Sequence, residues 1–221
     1  MEWKSGKHAG TVPKAITPQV RSFAEKHGND LQYVPLRPQP FARHHECYGN
    51  CDLTRQLFGG DMVLGYSIWN TKELFLSSEH HCVWRQPNGE LLDVTPDLSG
   101  GNRILFVPVR DIGPDEDAQS IIEEIIVNGD TGTFFVLVES PLIEKAVNVL
   151  GDATARLGQL SNIAARDGKG LPNIEIDRFD RAMDTVDHCI DGYYIVARKR
   201  EENQKRRQRR KQRKCARGRK R

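Results

Sequence analysis

The chain has 221 residues, 38% of them hydrophobic and 29% charged, which is enough to bury one substantial core and excludes a short disulfide-stapled peptide or a wholly disordered chain. No apolar run approaches the roughly 20 residues that cross a bilayer, and the opening MEWKSGKHAG has no apolar stretch behind its charges, so a cytoplasmic protein without a membrane partner is expected. The net charge of +3 hides an asymmetry: fifteen Lys and Arg against two Glu lie from Arg198 onward, leaving a body of about −10 and a tail of about +13.

Along the chain, TPQVRSFAEKHG predicts a short helix with Thr17 as N-cap, Pro18 in its first turn and Gly28 at its end. The prolines of YVPLRPQP then keep the chain extended. Leu53 and Leu57 stand four apart in NCDLTRQLFGG, and Gly59-Gly60 stop the pattern, so a helix should begin at or just after Cys47. Next the period changes. MVLGYSIW, ELFLSSEHHCVWRQ and ELLDVTP are rich in β-branched and aromatic residues, with Asn88-Gly89 as a tight hairpin turn between the last two, and RILFVPVRDI continues an antiparallel sheet.

DEDAQSIIEEIIVNG reads as a helix with acidic residues in its first turn, and TFFVLVES as another strand. Ser140 as N-cap and Pro141 at the first helical position open a long helix. In the last segment Phe179, Met183, Val186, Ile190 and Tyr194 recur at helical spacing, giving an amphipathic helix whose apolar stripe stops near Ala197. The expected class is α+β: a helix followed by an antiparallel sheet with packed helices over residues 1–197, then a basic tail over 198–221, helical or disordered.

Five cysteines, Cys47, Cys51, Cys82, Cys189 and Cys215, form an odd set without a leader, which argues against a disulfide framework. Three of them cluster in sequence near histidines, so thiol or metal chemistry is the alternative to simple packing. A thiol attacks as thiolate, and both a helix N-terminus and a nearby imidazolium favour that form. Cys47 stands at a helix start. Strand alternation puts His81 with Val83 on one face and His80 with Cys82 on the other, so one histidine can point at the cysteine, and we take it to be His81. The hairpin at Asn88-Gly89 brings Asp93 back opposite residues 81–84.

The motifs E-C-x-x-N and H-H-x-V-W-R-x-P-x-G-x-L-x-D-x-T-P, in that order, resemble the core of the transglutaminase-like, papain-like cysteine hydrolases and are similar to uncharacterised bacterial and phage proteins that carry them. The resemblance covers roughly residues 35–110. It implies a Cys, His and Asp on one helix and two neighbouring strands: Cys47 as nucleophile, His81 as general base and Asp93 as the orienting carboxylate. It also implies an amide or ester substrate and no cofactor. The linker from Cys47 to His81 is short for an enzyme with a deep cleft, and no Gln stands plainly upstream as oxyanion donor, which leaves the Cys47 N–H and the Asn50 side chain as candidates. Cys51 is the rival nucleophile.

Two other readings compete. Cys47, Cys51, Cys82 and either His80 or His81 could ligate zinc, although adjacent side chains of HHC point to opposite strand faces. Alternatively, HCVW is core strand and the cysteines are small hydrophobes; Cys189 beside the apolar stripe reads that way. His44 and His45 read as loop residues, and GGDMVLG lacks a phosphate-loop pattern. No metal site is assigned, including in the tail. There, Arg206, Arg207, Arg209, Arg210, Lys211, Arg213 and Lys214 form a like-charge block suited to the phosphates of RNA or DNA without base specificity, or to resting on the acidic body.

Overall fold

The computed structural model describes residues 10–97, 101–128, 133–166 and 173–218. It is α+β, as expected. Helix α1 (Pro18–Ala24) has Pro18 in its first turn and Thr17 as N-cap, the hydroxyl accepting the Val20 N–H at 3.3 Å. Strand β1 (Gln32–Pro35) follows, then α2 (Cys47–Phe58), which starts at Cys47 and ends at Gly59. Strands β2 (Asp61–Thr71), β3 (Phe75–Arg85), β4 (Leu91–Leu92) and β5 (Arg103–Ile112) make the sheet. Helix α3 (Ala118–Asn128), strand β6 (Phe134–Val136) and helices α4 (Pro141–Arg166) and α5 (Asn173–Gly218) complete the fold.

The strands lie in the order β1-β5-β2-β3-β4, with antiparallel neighbours, and β6 adds to the far end of β3. The two ends of this order also meet. Leu36, just after β1, bridges Asp93, just after β4, in parallel; Arg37 N–H donates to Asp93 O at 2.7 Å and Asp93 N–H to Pro35 O at 2.9 Å. The sheet therefore curls into a small closed barrel, which removes the edges of β1 and β4 at that point.

Alternation along each strand sorts side chains into the barrel interior or the outer layers. Val34, Val63, Val83, Ile104 and Phe106 fill the interior. Outside, Met62, Leu64, Cys82 and Trp84 pack beneath Cys51 of α2, while Ile68, Leu76, Leu105 and Val107 receive Val20 and Phe23 of α1. The α4–α5 pair covers the β2–β3 turn through Ile143, Ala146, Val186, Cys189 and Ile190 against Leu74 and Phe75.

Gly65 sits where β2 and β5 slip register by one residue, with Leu64 paired to Arg110 but Gly65 to Pro108. A Cβ there would lie 2.0 Å from Val107 O and 2.7 Å from Phe106 Cζ, so only glycine permits this approach. Opposite Gly65 in the β2–β3 ladder stands His81.

Three expectations change. The strand expected over ELLDVTP is only Leu91–Leu92, because Asp93 leaves β3 to bridge the chain after β1. The acidic residues of DEDAQ precede α3: Asp117 accepts from Ser120 N–H at 3.3 Å and from Ser120 Oγ at 2.6 Å, acting before the helix start. On α5 the buried line runs through Val186, Cys189 and Ile190 to half-buried Tyr193, whereas Tyr194 turns outward over the β2–β3 turn, its hydroxyl 3.5 Å from Lys72 O. Past the end of the apolar stripe the helix itself continues through Gly218, one of the two states expected of the tail, and is exposed from Arg198 to Arg209. Among the described residues no helix is long and apolar enough to cross a membrane.

Candidate active site

Cys47 is the first residue of α2, half-buried, on a turn whose N-cap, Glu46, makes no side-chain cap bond. The first bond of the helix runs from Asn50 N–H to Glu46 O at 2.8 Å, so the Cys47 N–H belongs to the first turn, which lacks carbonyl partners within the helix and carries the positive end of its dipole. The chain enters this turn through His45 in the left-handed region (φ 63°), a rare conformation for a side chain with a Cβ.

The approach is held by Asn50. Its amide nitrogen donates to Arg43 O at 2.7 Å and Thr95 Oγ1 at 3.2 Å, and its oxygen accepts the Arg43 N–H at 2.9 Å. Both amide hydrogens are thus committed in a buried position, and Asn50 braces the loop before Cys47; this departs from the oxyanion role expected of it. Thr95 passes the brace on, its N–H donating to Asp93 Oδ1 at 2.9 Å. That bond from Asp93 to the residue two positions on is the Asx turn latent in D-V-T.

Asp93 is 2% exposed, and its other oxygen, Oδ2, accepts from His81 Nε2 at 2.9 Å. With Nε2 so used, the ring's Nδ1 is left for Cys47, whose sulfur interacts with the imidazole and favours its charged form. The His81 pKa reflects opposing causes. Burial lowers it, but the charges of Asp93 and Cys47 and the hydrogen bond to Asp93 outweigh burial and hold it well above the ordinary imidazole value. Phe106 meets the ring edge-to-face at 6.3 Å from inside the barrel. The structure thus brings Cys47, His81 and Asp93 together on one cavity of about 310 Å³, with His45, Trp69 and Glu79 among its other walls.

Cys51, one turn further along α2, points elsewhere. It is fully buried, its thiol donates to Cys82 O at 3.3 Å, and burial, reinforced by Cys82, pushes its pKa well up. It is a packed neutral thiol on the outer layer, away from the cavity. Cys82 shares that layer while His81 faces the opposite side, and among the described residues no three His, Cys, Asp or Glu converge on a common point as the zinc reading needs. His44 lies on the loop, its Nδ1 3.2 Å from Pro96 O. In the tail, Arg206, Arg207 and Arg209 are exposed on α5, whereas the side chains of Arg210, Lys211, Arg213 and Lys214 lie outside the described residues.

Sequence reasoning missed Thr95, Gly65 and Phe106, which position the imidazole, and Trp69 and Glu79 on the cavity wall. A more open groove of about 840 Å³, walled by Tyr33, Arg85 and Glu90, has neither cysteine nor histidine in its lining. Chemically, a thiol at a helix start beside an imidazole whose far nitrogen is held by a buried carboxylate can pass a proton between sulfur and a departing group. The chain matches no family model, no curated protein and no solved structure.

Proposed function

We propose that this protein is a thiol hydrolase or acyl transferase acting on an amide or ester, with a transglutaminase- or papain-like core. The observation that carries the reading is the line from Cys47 through His81 to Asp93, anchored by the 2.9 Å contact between His81 Nε2 and Asp93 Oδ2. Asp93 fixes the tautomer and orientation of the ring and stabilises its protonated form. The Cys47 thiolate attacks the substrate carbonyl carbon, and the carbonyl electrons move onto oxygen, facing the Cys47 N–H and the positive end of α2. Collapse of this adduct expels the amine or alkoxide, which leaves with the proton from His81. Water, or an amine when acyl transfer occurs, attacks the thioester and gives its proton to His81, and Cys47 departs as thiolate. The free thiols among the described residues, Cys47, Cys51, Cys82 and Cys189, fit a reducing compartment such as the cytoplasm.

The rate of iodoacetamide labelling at each cysteine from pH 5 to 9, read by peptide mass spectrometry, tests this. Cys47 should label fast and well below pH 8, Cys51 and Cys82 slowly, and His81→Ala should abolish the low-pH reactivity. Slow labelling of Cys47 at every pH would make it a packing residue and end the enzymatic reading.

A second reading concerns α5, whose exposed helical run from Arg198 to Arg209 fits the phosphate backbone of RNA or DNA and could localise an enzyme there.

A further inference from the structure

Glu79 precedes His81 by two residues on β3, so both side chains take the same strand face, about 7 Å apart. Across the ladder Glu79 pairs with Ser67, and Trp69 follows Ser67 by two residues on that face of β2. The Trp69 indole N–H donates to Ser67 Oγ at 3.0 Å, which fixes the ring beside Glu79, and the indole also supports the Glu79 carboxylate. Asp97, four residues past Asp93, lines the same cavity.

This wall carries no permanently charged cation. Among the described residues lining the cavity there is no Lys or Arg; its basic groups are His45, His80 and His81, and His81 is already bound to Asp93. Glu79 keeps solvent access at the cavity wall, yet surrounding protein desolvates its carboxylate and raises its pKa, a shift that His81 opposes and Asp97 reinforces. A bound cation would relieve both the desolvation and the mutual repulsion of the two carboxylates. An aromatic ring close to a carboxylate also attracts ammonium and guanidinium groups.

From this wall we infer that the substrate carries a cationic group, a primary ammonium or a guanidinium, on the Glu79 side of the carbonyl that Cys47 attacks, and that Glu79 with Trp69 selects it. The inference rests on Cys47 being the nucleophile, and Asp97 adds to the field at longer range. Neutral and anionic acyl groups of the same size fit the volume but leave Glu79 without its partner, so they are discriminated against by charge rather than by shape.

The test uses the full chain and three methanethiosulfonates of graded charge: methyl (neutral), 2-aminoethyl (cationic) and 2-sulfonatoethyl (anionic). In each case the Cys47 thiolate takes the sulfenyl sulfur and a sulfinate leaves, so the chemistry is shared and only the charge differs. Second-order rate constants at Cys47, normalised to those of 2-mercaptoethanol, should favour the cationic reagent at least tenfold over the neutral one and disfavour the anionic one. Glu79→Gln should reduce the ratio of cationic to neutral rates to threefold or less, Asp97→Asn should reduce it less, and Glu144→Gln on distant α4 should not alter it. Equal rates for the cationic and anionic reagents, or a preference that survives Glu79→Gln, overturns the inference while leaving the nucleophile intact. A Cys47 slow toward all three, the neutral one included, overturns the nucleophile reading and this inference with it.

Discussion

At the scale of single residues, the informative contrast is between two thiols one helical turn apart. Cys47 and Cys51 share α2, yet one meets an imidazole on a cavity and the other donates to a strand carbonyl within packed side chains. The difference comes from where the helix starts relative to β3. His81 itself makes a pH-dependent contribution whose sign follows from its raised pKa. The folded state binds the proton more tightly than the unfolded chain, so this stabilisation is complete below an unfolded pKa of about 6.5 and is lost as pH rises through the folded value. Urea unfolding from pH 5.5 to 9 should show stability falling above about pH 6.5, by at most about 1.4 kcal/mol per pH unit from this group, and His81→Gln should remove that fall. A profile identical in the two proteins would mean that the ring is not held protonated by its neighbours.

Between elements, the site depends on contacts that join distant segments. Cys47 as a helix start, the facing of His81 and the return of Asp93 were all legible, because helix stops, strand alternation and an Asn-Gly turn are local rules. The barrel closure was not, since it joins Leu36 to Asp93 and nothing in either neighbourhood announces the other. The same reason hid the role of Asn50: its partners, Arg43 and Thr95, lie on opposite sides of it in sequence, and its type alone fits a donor to substrate equally well. Asn50→Ala decides between these roles. As a brace, its loss strands the Arg43 N–H and carbonyl and the Thr95 hydroxyl, at about 1–3 kcal/mol for a buried group, so we expect unfolding stability to drop by about 2 kcal/mol or more and Cys47 labelling to slow as its loop loosens. Unchanged stability with turnover reduced by about 10²–10³ would instead restore the oxyanion role.

For the whole molecule, the question is why a chain with a body of about −10 ends in a segment of about +13, which α5 carries as helix through Gly218. At 46 residues α5 is about 69 Å long, and its first half is fastened by Val186, Cys189 and Ile190 to the α4 and β2–β3 layer. The second half is therefore a continuation of a packed helix, so its direction is set by the core although its exposed side chains, from Arg198 to Arg209, add nothing to it. A like-charge run disfavours helix through self-repulsion, and the only ion pair it forms among the described residues joins Lys205 to Glu201. Counter-charges along a phosphate backbone would remove that repulsion while releasing condensed cations, whereas docking on the acidic body is hindered by the helix running on from its packed half. Deleting residues 199–221 tests this at the same scale. Unfolding stability should change by less than about 0.5 kcal/mol, as for exposed surface, and labelling at Cys47 should stay the same. Binding to single- or double-stranded nucleic acid at 50 mM salt should fall by tenfold or more, and the dependence of log K on log salt should flatten by about 4 if the helix covers four to five phosphates. Binding that persists with its original salt slope would place the nucleic-acid contact elsewhere on the protein and leave the tail with no part in it.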